Sequence, residues 1–172
     1  CGGELTSIKQ FNMMFKTHAG PVEDTSSVVY LRPETAQGIF VNFKNIIDVF
    51  HPSLPFGVAQ VGKAFRNEIT PKNFLFRARE FEQLELEYFG RPEKMDQYFG
   101  DIRNMRLQWF LDLGMQKKNI RTRDHKKEEL SHYSQATTDL EYRYGLSSSS
   151  GGFSELEGIA NRSDFDLKQH AE

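Results

Sequence analysis

Between Glu34 and Phe50, apolar residues recur at Ala36, Ile39, Phe40, Phe43, Ile47 and Phe50. That is a helical period, with one stripe along one face. Ahead of it, residues 10–17 (QFNMMFKT) and 28–32 (VVYLR) read as short strands, the second ended by Pro33. The polar stretch between them, with Gly20-Pro21, reads as a loop. "HPSLP" carries two prolines and stops the helix. Residues 56–69 and 75–89 then read as two long strands joined by the turn "TPKN", which predicts a β-hairpin. Arg91-Pro92 opens a second helix, predicted to run to Leu113 with Met95, Tyr98, Phe99, Ile102, Trp109, Phe110 and Leu113 on one side. Gly114 suits its end. Farther on, "NIRTRDH", "TTDLEYRY" and "SELEGIAN" predict strands, and "KKEELSHYSQA" and the region of "FDLKQHA" predict short helices. Strands outnumber helices and pair largely as hairpins. The fold class is therefore α+β, a mostly antiparallel sheet flanked by helices.

Composition narrows the class without changing it. A chain of 172 residues, 38% hydrophobic and 27% charged, is the size of one soluble domain with a sizeable core. No apolar run approaches the roughly 20 residues that span a bilayer, and no signal-peptide pattern opens the chain. No membrane partner is expected, and the setting expected is cytoplasmic. Cys1 is the one cysteine, which excludes an internal disulfide framework and a complete cysteine zinc site. With 22 basic and 24 acidic residues the net charge is −2, so any RNA contact must rest on a local patch. The chain begins Cys-Gly-Gly and ends Ala-Glu, and is read as a piece of something longer. Residues 146–152 are expected to be a flexible linker, since Ser147 to Gly152 are four serines and two glycines. A natural surface loop and an engineered splice both fit that composition.

The hairpin carries the candidate chemistry. Alternation puts Gly62, Ala64, Arg66 and Glu68 on one face of the first strand, and Arg77, Arg79, Phe81, Gln83, Glu85 and Glu87 on one face of the second. A tight pairing sets Ala64 opposite Phe81 and Arg66 opposite Arg79. The bland reading is a solvated face with ion pairs of little worth. Taken as a set, the residues describe a nucleotide site. Guanidinium forks bind phosphate oxygens in pairs, a Phe beside small residues suits a stacked base, and carboxylates hold an amine or Mg²⁺. Neither a Walker-type nor a dinucleotide-binding glycine motif occurs. None of the five histidines stands in a metal or triad spacing.

"AFRNE", "RAREF" and then Glu85 resemble motif 2 of the class II aminoacyl-tRNA synthetases. With "QFNMMFKT", "RPETAQGIFVNFKN", "PFGVAQVGKAFRNEI", "REFEQLELEYF", "HYSQATTDLEY" and "ELEGIANRSDFDL", nearly the whole chain is similar to the bacterial, homodimeric glycyl-tRNA synthetase family. The resemblance implies ATP-dependent activation of glycine to glycyl-adenylate and transfer to tRNA(Gly), with ATP and Mg²⁺ as cofactors. By the same resemblance Arg66 grips the α-phosphate and the reacting carboxylate, and Glu68 helps read adenine; these two are the implied catalytic pair. The implied ATP contacts are Arg66, Asn67 and Glu68, then Phe76, Arg77, Ala78, Arg79, Glu80 and Phe81, then Glu155 and Leu156. Glu155 is the implied Mg²⁺ partner. Glycine would lie over Phe81, Glu82, Gln83, Leu84 and Glu85, its ammonium on Glu34. Arg32 either orients Glu34 or neutralises the acidic floor. The turn from Ile69 to Asn73, with Lys72, would meet the tRNA acceptor end. Residues 1–172 would then be part of a class II catalytic domain, with motif 1 expected before Cys1 and motif 3 and an anticodon-binding domain after Glu172. A non-catalytic piece that keeps only ATP, glycine or acceptor-end binding is the second reading. A class II enzyme of another amino-acid specificity is the third, against which "RPETAQG" and "ELEGIA" speak.

Overall fold

The computed structural model describes residue 7, residues 10–145 and residues 151–171. Cys1 and residues 146–150 of the Ser/Gly stretch lie outside the described residues. The chain divides into two units, residues 1–39 with 59–87 and residues 40–58 with 88–172.

In the first unit, β1 (Lys16–His18) pairs antiparallel with β2 (Val28–Tyr30), Thr17 facing Val29. The strand expected over residues 10–17 is thus only its last part. Asp24 closes the loop between them by accepting hydrogen bonds from the Ser26 and Ser27 N–H groups, both at 2.9 Å. The long strands are β3 (Phe56–Phe65) and β4 (Glu80–Phe89), paired as the predicted hairpin. They are shorter than expected because the backbone turns at Arg66, where the Glu68 N–H donates to the Arg66 carbonyl at 2.7 Å. Residues 66–79 form a long connection with an isolated bridge, Lys72 to Arg77, and a 3-10 turn at Phe74–Phe76. Asn73 and Phe74 both take positive φ there, 57° and 54°.

The single helix expected over residues 34–50 is two: α1 (Ala36–Val41) and α2 (Phe43–Phe50). Asn42, at φ −91° and ψ 0°, leaves helical geometry between them. Ala36, Ile39 and Phe40 of the stripe are buried, but Phe50 is 74% exposed. The His51 N–H returns to the Ile47 carbonyl at 3.0 Å from a left-handed conformation, which ends α2 just before Pro52.

The second unit is built on the antiparallel order β5 (Ile120–Asp124), β6 (Ala136–Arg143) and β7 (Phe153–Asn161). One face of this sheet packs on α3 (Met95–Asp112) through Phe110, Ile120 and Leu140, with Leu107, Leu111, Tyr142, Leu156 and Ile159 around them. The side of α3 expected to be apolar is only partly used: Trp109 and Leu113 stay exposed. Arg106 claims the space between, binding both Glu157 carboxylate oxygens (2.8–3.0 Å) while its guanidinium lies 4.2 Å from the Trp109 ring centre. Phe40, Phe43, Phe56 and Phe89 form a second cluster, with ring centres 4.6 to 6.3 Å apart. "KKEELSHYSQA" keeps only a 3-10 turn at Lys127–Glu129. Beyond it, the Gln135 N–H and the Ser134 hydroxyl bond to the Asn161 and Ala136 carbonyls, drawing the chain into β6 instead of a helix. The chain closes with α4 (Phe165–Gln169).

Candidate functional site

The two faces of the hairpin are inverted relative to an ordinary half-buried sheet. Along β4, Phe81, Gln83, Glu85 and Glu87 are partly buried, whereas Leu84 and Leu86 are 67% and 47% exposed. Gln60, Gly62 and Ala64 of β3 are likewise the covered positions. What covers this polar face within the unit is the segment from Arg32 to Gly38. The Arg32 Nε donates to the Lys63 carbonyl at 2.7 Å, and the Phe65 N–H returns to the Arg32 carbonyl at 2.9 Å. The Thr35 N–H donates to Gln83 Oε1 at 3.3 Å. Gln60 Oε1 lies 3.2 Å from where a Cβ on Gly38 would stand. Apolar-polar alternation could not reveal this, because the buried face is the one carrying the amide and carboxylates.

Arg66 sits at the centre of the arrangement. Its N–H donates to the Arg79 carbonyl at 2.9 Å, the cross-strand pairing that the sequence offered. Its Nε donates to the Pro33 carbonyl at 3.1 Å, and its guanidinium carbon lies 5.3 Å from the Phe81 ring centre. An aromatic ring and a backbone carbonyl thus aim the fork. Glu68 is held by Arg77 at 3.1 Å, while Arg79 Nε binds the Glu68 carbonyl at 3.0 Å. Glu34 lies in the loop before α1, not in its first turn, and accepts a hydrogen bond from the Gln37 amide. Flanked by Pro33 on Arg66 and by Thr35 on Gln83, it is tethered on both sides to the hairpin. Arg32 takes the Lys63 carbonyl, not Glu34, as its partner.

The remaining expected residues fall less tightly together. Glu80 pairs with Lys63, and this partner raises the lysine's pKa, first through the hydrogen bond and then through its charge. The side chains of Glu80, Glu82 and Leu84 lie on the outward face, alternate to Phe81 and Gln83. Phe76, Arg77 and Ala78 belong to the connection, not to a strand. Asn67 turns its amide to the Asn12 carbonyl at 3.0 Å.

Glu155 and Leu156 belong to the second unit. Leu156 packs against the core, while Glu155 faces Glu141 in the β6–β7 register, beside the bulge at Leu140/Glu141. A Cβ on Gly158 would stand 3.1 Å from Glu155 Oε1 and 3.9 Å from Asp139 Oδ1, so these two carboxylates converge over the glycine. Sequence reasoning missed Asp139, Glu141 and His125. Asp139 and Glu141 are buried, bound by His125 Nε2 at 2.7 Å and by Arg121 Nε at 2.6 Å respectively. The signal lay in "TTDLEYRY", where alternation puts both carboxylates on the face away from Leu140. Among the described residues no group of three or more His, Cys, Asp or Glu is arranged to hold a metal ion. Glu155 fits a single-carboxylate role toward Mg²⁺, which commonly takes one or two carboxylates and completes its shell with phosphates and water.

Residues 15–169 match the family model described as the tRNA synthetase class II core domain (G, H, P, S and T). The chain belongs to this class II core-domain family. Class II members among the similar proteins include the glycine–tRNA ligases of Caldanaerobacter subterraneus subsp. tengcongensis, 55% identical over the whole chain, and of Acetivibrio thermocellus, 57% identical. The corresponding ligase of Geobacillus kaustophilus is 56% identical, again over the whole chain. The chain spans 36% of the length of each. In solved structures, the class II likeness extends to the seryl-tRNA synthetase of Pyrococcus horikoshii, solved with ATP: TM-score 0.66, 19% identity, 92% of this chain and 33% of that one. At that identity the likeness speaks for the fold alone. The antiparallel sheets and flanking helices are those of the class II core, as expected. Among the described residues no helix is long and apolar enough to cross a membrane.

Proposed function

We propose that this chain carries the ATP and glycine sites of a glycine–tRNA ligase. The observation that carries the reading is the stitching of Arg32–Thr35 onto the polar face of the hairpin, with Arg66 held between the Pro33 carbonyl and Phe81. The identity of 55–57% to glycine–tRNA ligases over the whole chain supports it. In this reading one glycine carboxylate oxygen attacks the ATP α-phosphorus. A C–O–P link forms and pyrophosphate departs with the electrons of the broken P–O bond. A hydroxyl of the tRNA terminal adenosine then attacks the glycyl carbonyl and AMP leaves. Arg66 neutralises the α-phosphate, Phe81 carries the adenine, and Glu34 holds the glycine ammonium. The protein contributes position and charge instead of a nucleophile. Mg²⁺, which by the same reading Glu155 would hold, would supply further charge neutralisation. The tRNA(Gly) acceptor end would meet the connection at Ile69–Asn73. Homodimerisation of the whole protein and a cytoplasmic setting go with this role.

Glycine-dependent exchange of pyrophosphate into ATP by the 172-residue chain tests the reading. Exchange above a Glu34→Ala control is expected, with Arg66→Ala weakening ATP binding by about 1.5–3 kcal/mol, the worth of a charge-assisted bond. Exchange no greater than the control would leave a binding piece only. Exchange driven by serine or alanine would replace glycine as the substrate.

A further inference from the structure

Arg32 and Arg66 are held in the same way. Each spends its Nε on a backbone carbonyl, Arg32 on that of Lys63 at 2.7 Å and Arg66 on that of Pro33 at 3.1 Å. Glu80 and Glu68 of the hairpin pair with other cations, Lys63 and Arg77. Among the described residues neither Arg32 nor Arg66 has a carboxylate within ion-pair distance, so the Nη groups of both forks are unspent on one. The function proposed above gives the Arg66 fork a substrate and leaves the Arg32 fork without one.

The Arg32 fork is placed by a missing side chain. A Cβ on Gly62 would stand 2.5 Å from Arg32 Nη2 and 3.5 Å from Cζ, so the guanidinium occupies the space over that glycine. Gly62 belongs to the covered, polar face of β3, with Gln60 and Ala64. The Thr35 methyl is 3.5 Å from the same point, and the Thr35 N–H is on Gln83 Oε1 at 3.3 Å. The fork therefore lies on the face that carries Gln83, beside the residue that follows Glu34. Arg32 is itself exposed, which leaves its Nη groups within reach of a ligand. A tie between this segment and the hairpin needs only one N–H donor; it needs neither the charge nor the second edge of a fork.

We propose that Arg32 is a substrate-binding residue, whose Nη groups over Gly62 receive the carboxylate of a free amino acid while Glu34 holds its ammonium. This rests on the glycine reading above. Arg32 and Glu34 are two residues apart, so their Cα atoms are separated by at most about 7 Å, a span that suits a small zwitterion. Cation and anion then come from one three-residue segment, fixed to the hairpin at Lys63 and at Gln83. Of the two carboxylate oxygens, one attacks phosphorus beside Arg66 and the other rests on Arg32.

The test titrates the 172-residue chain with glycine and with glycinamide, which keeps the ammonium and lacks the carboxylate, and follows backbone amide shifts by NMR. Arg32→Ala is expected to weaken glycine by about tenfold or more, the worth of a charge-assisted contact, and to leave glycinamide unchanged. Glu34→Ala should weaken both. Gly62→Ala displaces the fork without deleting it and should reproduce the glycine loss. In an Arg32→Ala background the same methyl meets only the Thr35 methyl at ordinary contact distance, so it should cost nothing further. Circular dichroism melts check that each variant is folded, and Gly62→Ala carries the test if Arg32→Ala is not. Unchanged glycine binding by the folded variants overturns the proposal and leaves the glycine reading standing. So does an unmodified chain that binds glycinamide as tightly as glycine. An equal loss of both ligands from Arg32→Ala makes Arg32 a tie for the Glu34 segment and overturns the carboxylate role. An unmodified chain that binds neither ligand overturns both readings.

Discussion

Thr35, a residue with 0% exposure beside Glu34, holds a buried hydroxyl with no hydrogen-bond partner among the described residues. Its backbone is engaged, through the N–H on Gln83 and the carbonyl that receives the Gly38 N–H at 3.2 Å. Its methyl is packed too, 3.5 Å from the point where a Cβ on Gly62 would stand. Only the hydroxyl pays a desolvation cost, which for a buried unsatisfied group is about 1–3 kcal/mol. Thr35→Val exchanges that hydroxyl for a methyl of similar shape and keeps the β-branched rotamer preference. The expected gain is about 1 kcal/mol, which raises Tm by about 2–4 °C in a chain of this size. Thermal and urea unfolding followed by circular dichroism measure it, with Thr35→Ser as the control that keeps the hydroxyl and loses the methyl. Thr35→Ser should be destabilised. A Thr35→Val chain that loses as much stability as Thr35→Ser would refute the reasoning, because the hydroxyl must then have a partner. If the hydroxyl serves the site and not the fold, Thr35→Val also loses glycine-dependent exchange while it gains stability.

Three further outcomes are expected. Leu140→Ala removes a side chain with 0% exposure from the centre of the β5–β7 core and should cost about 3 kcal/mol in urea unfolding; a loss below 1 kcal/mol would mean that the site collapses around the gap. Gly62→Ala would set a Cβ 2.5 Å from Arg32 Nη2, so the guanidinium must leave the Lys63 carbonyl; the loss of that exposed bond should cost about 1 kcal/mol, and an unfolding curve superposing on that of the parent chain would contradict it. Asp24 is held below its ordinary range, first by the Ser26 hydroxyl and then by the Ser27 N–H, so its cap is intact above the unfolded value near 3.8 and is lost as pH falls through the lowered folded value. An NMR acid titration in which the Ser27 amide shift ignores Asp24 protonation would count against that assignment.

Much of the fold was legible because periodicity and punctuation agreed. Pro92 and Gly114 bracket the second helix, Gly114 taking φ +95°, and the three strands of the second sheet follow alternation in "IRTRD", "TTDLEYR" and "SELEGIAN". What failed did so where a local interaction outweighed the period. A regular stripe runs through Asn42 and Phe50, yet the backbone leaves helical geometry at Asn42 and the capping turn at His51 leaves Phe50 in solvent. The strand pattern runs past Phe65, yet the tight turn between Arg66 and Glu68 stops it, which moves Arg66, Asn67, Glu68 and Phe76–Arg79 from strands into a connection. Individual contacts were beyond reach for a different reason. That Asn67 binds the chain 55 residues earlier is a matter of tertiary approach and leaves no trace in spacing.

The pairing of Arg32 with Glu34 in "RPET" shows what the geometry adds. Adjacent opposite charges ahead of a helix invite an ion-pair or capping account, and both fail here. The helix begins two residues after Glu34, and Arg32 spends its Nε on a strand carbonyl 31 residues away. The guanidinium lies over Gly62, whose missing Cβ is what lets it approach. Arg32 therefore fixes the backbone ahead of Glu34, while Thr35 on Gln83 fixes the backbone after it. Among the described residues Glu34 has the Gln37 amide, a neighbour on its own segment, as its side-chain hydrogen-bond partner. A carboxylate whose backbone is anchored on both sides, and whose charge among the described residues is met by no cation within ion-pair distance, supports the proposal that Glu34 receives an ammonium group.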